Sequence, residues 1–180
     1  TVLNAPSASP AALILAPLGR DALIIRQLLA GAGIDSILHS CLTDLAESLS
    51  DEVGFAVIAD EELLSADLRD LARWIGAQPT WSDLPIIVLT QRADDQRLDG
   101  NAQRLPALLV NVTFIERPFH SETFVSLAKT AFSGRIRQYR ERARIEELRA
   151  SEERFRALVT ASSDVIYRMN ADWSQMKRLE

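Results

Sequence analysis

An α/β fold, a five-stranded parallel sheet with helices on both faces, is predicted by three observations. Five strand-length apolar runs recur between residues 11 and 133. A helical or turn-rich stretch separates each run from the next. The runs are apolar almost throughout, where a half-exposed sheet would alternate with polar residues.

The elements follow in order. Ala12-Leu13-Ile14-Leu15-Ala16 is the first strand, closed by Pro17 and Gly19. Asp21 is placed to cap a helix on which Leu23, Ile24, Gln27 and Leu28 recur, and Gly31 and Gly33 stop it. Residues 34–41 read as the second strand, and Thr43 to Leu49 as a short helix capped by Thr43. Phe55-Ala56-Val57-Ile58-Ala59 is the third strand, ended by Asp60-Glu61-Glu62. Leu64, Leu68, Leu71 and Ile75 predict one helix over residues 63–75. Ile86-Ile87-Val88-Leu89 is the fourth strand, a helix is expected around residues 94–105, and Val112-Thr113-Phe114-Ile115 is the fifth strand. A last helix starts at Glu122. Strands are expected to end near Ala16, Cys41, Ala59, Leu89 and Ile115. In such sheets function gathers at the carboxyl ends of the strands, here 16–19, 60–62 and 90–92.

Composition narrows the class. The chain of 180 residues is 47% hydrophobic and 25% charged, with a net charge of −5. That balance suits a packed domain and disfavours a nucleic-acid binder, which carries a basic excess. A lone cysteine, Cys41, fits a reducing cytoplasm. No apolar run approaches the roughly 20 residues that cross a bilayer. Residues 1–10, rich in Ala, Ser and Pro, read as a flexible leader.

After Gly134 the composition shifts. Residues 135–156 hold eight Arg and five Glu with no Gly or Pro, which predicts a solvated helix leaving the first domain. One nearly continuous helix is expected from about Phe132 to Leu158. Phe132, Ile136, Tyr139 and Ala143 form an apolar stripe, resumed in shifted register by Ile145, Leu148, Phe155 and Leu158. A parallel homodimer is expected to bury both. Pairs four apart (Arg137–Glu141, Arg142–Glu146, Arg149–Glu153) add small support. Residues 165–169 and 175–179 read as strands around a turn.

The order of elements over residues 11–133 and their end residues resemble the receiver domains of two-component signalling. The resemblance puts Asp60 at the phosphoacceptor position, Thr90 at the hydroxyl position and Arg117-Pro118 at the Lys-Pro position. Ala16 and Pro17 fall where the family carries an acidic pair. The stretches Gln78-Pro79-Thr80-Trp81-Ser82-Asp83-Leu84-Pro85 and Glu116-Arg117-Pro118-Phe119 resemble an atypical receiver group found ahead of PAS-containing sensor histidine kinases. Residues 148–170, with Ser151-Glu152-Glu153-Arg154-Phe155-Arg156-Ala157-Leu158 and Asp164-Val165-Ile166-Tyr167-Arg168, resemble the opening of a PAS domain. The resemblance therefore implies a receiver-like domain at 11–133, a signalling helix at 134–158 and the beginning of a PAS domain at 159–180.

Magnesium-dependent phosphoryl transfer to a carboxylate needs several converging oxygen ligands. Ala16 and Pro17 supply no carboxylate, and the planar fork of Arg117 does not reproduce a Lys ammonium. The expectation is a pseudo-receiver: a cytoplasmic, non-catalytic regulatory and dimerisation module of a sensor histidine kinase, with no cofactor. Its partners are then a second copy and the downstream PAS and kinase domains, with neither nucleic acid nor membrane. A working phosphoacceptor using Asp60, with magnesium, is the alternative. DNA binding through the Arg-rich helix is a third, opposed by its interleaved Arg and Glu. His39, His120, Trp74 and Trp81 read as structural residues, and Asp60-Glu61-Glu62 also suits a helix start by its charge.

Overall fold

The computed structural model describes residues 10–91, 111–161, 167–170, 172 and 176–178. The helix expected around 94–105 lies outside them. The chain divides into two compact units, Thr1–Tyr139 and Arg140–Glu180.

In the first unit β1 (Ala12–Leu15), β2 (Ser36–Leu38), β3 (Phe55–Ala59), β4 (Ile86–Gln91) and β5 (Val112–Arg117) form one sheet of order β2-β1-β3-β4-β5. All four pairings are parallel. The buried runs dictate this. Alternate residues of a strand point to opposite faces, and β1 sends Leu13 and Leu15 to one core and Ala12 and Ile14 to the other. Leu42, Leu45 and Leu71 cover the first face, and Ile25, Leu29, Phe124 and Ala128 the second.

The helices are α1 (Asp21–Gly31), α2 (Leu42–Ser48), α3 (Asp60–Ser65), α4 (Arg69–Gly76) and α5 (Ser121–Ala161). Several expectations need correction. Arg20, not Asp21, holds the cap position of α1; Asp21 is the first helical residue, and its carboxylate is drawn to Arg117 instead. The pair with Arg117 is charged on both sides, whereas a carboxylate cap bond is charged on one. Thr43 lies inside α2, which starts at Leu42 after Cys41. The single helix expected over 63–75 is two. Ala66 is extended, and Asp67 accepts the Arg69 backbone N–H (3.0 Å), an Asx turn that restarts the chain as α4. The edge strand β2 has only three residues, although the His39 N–H still donates to the Ile14 carbonyl (2.8 Å). Strands β1, β4 and β5 end at Leu15, Gln91 and Arg117, each within two residues of the expected end, and β3 ends at Ala59.

Helix α5 begins on the sheet, where Phe124 and Ala128 are buried, and passes Gly134 without interruption. The reading of residues 135–156 as wholly solvated fails at its first residue: the Arg135 side chain is fully buried. Gly54 lets the helix come close, since a Cβ there would stand 3.3 Å from both Phe132 Cδ2 and the Ala11 carbonyl.

In the second unit, Leu148, Phe155 and Leu158 of α5 are exposed. Arg142–Glu146 forms as expected (2.8 Å), while Glu152 pairs with Arg156 (2.6 Å) and Glu141 with Arg144 (4.0 Å). β6 (Tyr167–Met169) and β7 (Met176–Arg178) pair antiparallel.

Candidate functional site

The sheet order reverses between β1 and β3, and ligand sites of open α/β sheets lie there, outside the carboxyl ends of the strands. Four chain segments deliver polar side chains to that edge. Asp21 stands at the start of α1, Asp60 and Glu61 follow β3, Thr90 and Gln91 end β4, and Arg117 ends β5. Ala16 is buried and Pro17 exposed, directly after β1.

Arg117 organises the cluster. Its Nη1 donates to Asp21 Oδ2 (3.0 Å), and its Nη2 donates to Asp60 Oδ1 (3.2 Å) and Glu61 Oε2 (2.6 Å). The Arg117 side chain is 15% exposed, and Asp60 and Glu61 are each 22% exposed. Arg117 Nε is buried with no partner among the described residues. The Gln91 backbone N–H donates to Asp60 Oδ2 (3.3 Å), and Gln91 Nε2 donates to Glu61 Oε1 (3.5 Å). Thr90 turns its hydroxyl to the Ile115 carbonyl (3.4 Å), across to β5. The Arg117–Pro118 bond is cis.

Three carboxylates on one guanidinium cannot share it equally. Burial, followed by the Glu61 hydrogen bond, pushes the Asp60 carboxyl up to about 6. Burial pushes Glu61 up too, but hydrogen bonds from Asp60 and Arg117 outweigh it and hold that carboxyl at about 2. Glu61 is therefore the ionised partner of Arg117, and Asp60 can carry a proton that it donates to Glu61. Sequence reasoning placed Asp60, Thr90, Arg117, Pro118, Ala16 and Pro17 at this edge. It missed the grip of Glu61 and Asp21 on Arg117, because an acidic residue at a helix start also satisfies the helix dipole.

The residues expected on the dimer stripe are not equivalent. Tyr139 is half-buried in the first unit, with its hydroxyl on the Val53 carbonyl (2.8 Å) and its ring against Trp81. Ile136 and Ile145 are half-buried, whereas Ala143, Leu148 and Phe155 are exposed. No group of His, Cys, Asp and Glu suited to a metal ion occurs among the described residues, and none of their helices is long and apolar enough to cross a membrane.

No family model matches the sequence, and no curated protein matches it. Solved structures do. A response regulator receiver protein from Burkholderia phymatum is 15% identical over 69% of this chain and 95% of its own, with a TM-score of 0.51. The signal receiver domain of a signal transduction histidine kinase from Syntrophus aciditrophicus is 20% identical over 69% of this chain and 91% of its own, with a TM-score of 0.54. A sensor protein from Polaromonas sp. JS666 is 20% identical over 71% and 99%, with a TM-score of 0.52. The five-stranded parallel sheet and its helices thus have the fold of a response regulator receiver domain.

Proposed function

We propose that this chain is a regulatory module of two-component signalling in which a receiver domain has given up phosphorylation. The single observation that carries the reading is the Arg117 guanidinium held between Asp21, Asp60 and Glu61. In a phosphorylatable receiver the acidic residues hold a magnesium ion, which neutralises the oxygens around the nucleophile. The donor set here does not suit that ion. Ala16 and Pro17 offer no carboxylate, and the three that are present already share a cation of their own.

On this reading the module works by contact rather than by covalent switching. The sequence resemblance makes a PAS domain and a histidine kinase core its downstream elements. A second copy is its expected partner, through the distal stripe of α5. There Ile145, Leu148, Glu152, Phe155 and Val159 follow the 3-4-3-4 spacing of a coiled-coil seam. The one polar seam position, Glu152, bonds to Arg156 on its own helix, and an acid there weakens the seam.

Acetyl phosphate with magnesium tests the reading, followed by intact mass. The mass should stay unchanged. Uptake of one phosphoryl group, abolished by Asp60→Asn, would return the domain to the phosphorelay. Sedimentation of the same sample tests the partner: a monomer at high micromolar concentration would reduce the distal helix to a spacer.

A further inference from the structure

Arg135, Gln138 and Tyr139 occupy one face of α5, and all three bind the loops that feed the two central strands. At least four of the five N–H groups of the Arg135 guanidinium have acceptors. Its Nε donates to the Val53 carbonyl (3.0 Å) and Tyr139 hydroxyl (3.2 Å), its Nη1 to Ser82 Oγ (2.7 Å) and Gln138 Oε1 (2.8 Å), and its Nη2 to the Asp51 carbonyl (3.3 Å). The guanidinium carbon lies 4.9 Å from the Tyr139 ring centroid and 5.6 Å from that of Trp81, both within cation–π range.

The neighbours lock the same contact. Burial raises the Tyr139 pKa, so the hydroxyl stays protonated and donates onward to the Val53 carbonyl (2.8 Å). Gln138 donates to the Asp83 carbonyl (2.9 Å) and accepts the Asp83 N–H (3.0 Å). Gln78 shapes the loop from within, accepting from Ser82 Oγ (2.9 Å) and the Leu84 N–H (3.0 Å). Residues 51–53 and 78–84 are therefore a socket, and the Arg135-x-x-Gln138-Tyr139 face of the chain's own helix is its occupant. A buried cation met this way is stable only when nearly all its partners are in place. Such a contact is seated or released, with little between.

The socket and the acidic cluster stand at opposite ends of the same two strands. Val53 lies two residues before β3, and Asp60 follows it; Leu84 lies two residues before β4, and Gln91 ends it. The strands are paired from Ala56↔Ile86 to Ala59↔Leu89, and beyond them the Gln91 N–H binds Asp60. We propose that the socket is the joint between the receiver domain and helix α5, and that it and the Arg117 cluster bias one another through β3 and β4. This rests on the reading of α5 as the output element, but its test needs neither phosphorylation nor a partner.

The full chain carries its own probe, the Arg135 Nε–H, whose hydrogen exchange is read by ¹⁵N NMR. In the native chain it should exchange far more slowly than that of the exposed Arg20. Tyr139→Phe, which removes one acceptor, should speed it. Glu61→Gln at the far end, which removes the ionised partner of Arg117, should also speed it, by about fivefold for a coupling of ordinary size, with Arg20 unchanged. An Arg135 that exchanges as fast as Arg20 in the native chain would mean the socket is open in solution. Exchange that responds to Tyr139→Phe but not to Glu61→Gln would leave a structural clasp and overturn the coupling. Phosphoryl uptake at Asp60 would be a separate failure, that of the function proposed above.

Discussion

The two ends of the sheet each hold an arginine, and the two are neutralised in opposite ways. Arg117, at the carboxyl ends of the strands, is partly exposed and faces three carboxylates. Arg135, at the amino ends, is wholly buried and is met by carbonyl, hydroxyl and amide oxygens and two aromatic faces. The first is held by charge, which pH and salt can remove. The second is held mostly by neutral oxygens, with the Asp83 carboxylate as a charged neighbour. The same side chain thus makes a contact between opposite charges at one end of the sheet and one with mostly neutral oxygens at the other.

The largest break in this comparison should come from Arg135→Met, which keeps the aliphatic stem and removes the fork. The Val53 carbonyl then keeps only Tyr139, and Ser82 and Gln138 lose a charged partner. Stability should fall by about 3 kcal/mol, the order found when a buried polar network loses its centre. Urea melts at pH 7 and pH 8 should give the same loss. A loss under about 0.5 kcal/mol, the range of ordinary surface substitutions, would mean that the latch carries little.

Arg117→Met should cost less and depend on pH. At pH 7 it leaves three carboxylates without their cation, for about 2 kcal/mol, below the cost of a fully buried pair because all four groups reach solvent. Glu61 is held at about 2 in the fold against an ordinary 4.5. Its pairing thus stabilises fully above pH 4.5 and is lost as pH falls toward 2. The cost of Arg117→Met should shrink by at least half between pH 7 and pH 3, and a constant cost would show that Arg117 acts by packing alone.

The same contrast decides what the sequence could disclose. The runs at Ala12–Leu15, Phe55–Ala59 and Ile86–Leu89 are buried on both faces, so apolarity alone reads as a central parallel strand. The break between α3 and α4 was not legible, because the apolar spacing from Leu64 to Ile75 runs straight across it and only the Asp67 turn interrupts. The edge position of Asp60, Thr90 and Arg117 follows from strand ends, which patterning supplies. The attachment of Glu61 and Asp21 to Arg117 does not, because it depends on distances between segments remote in the chain. Arg135 was least legible of all, since the first residue of an arginine-rich run looks like the rest. The signal that existed lay in the 135, 138, 139 spacing, one helix face, set against the polar and aromatic residues of Gln78–Pro85.

The smallest effect tests which acid of the cluster carries the proton. Asp60 has a folded pKa of about 6 against an ordinary 3.8. A raised carboxyl means that the folded chain binds the proton more tightly than the unfolded one. Asp60 therefore costs nothing below about pH 4, and its contribution turns unfavourable as pH rises through 6. A rise of that size would cost about 3 kcal/mol if fully expressed; solvent screening at this partly exposed site brings the expectation to about 1 kcal/mol. Asp60→Asn supplies the N–H that a protonated Asp60 donates to Glu61 and cannot ionise. At pH 4 it should match the native chain in stability, and at pH 7 it should exceed it by about 1 kcal/mol, with the change concentrated between pH 4 and pH 6. A difference that is flat across that window would place the proton elsewhere in the cluster. One that grows toward low pH would mean that Asp60, not Glu61, is the ionised partner of Arg117.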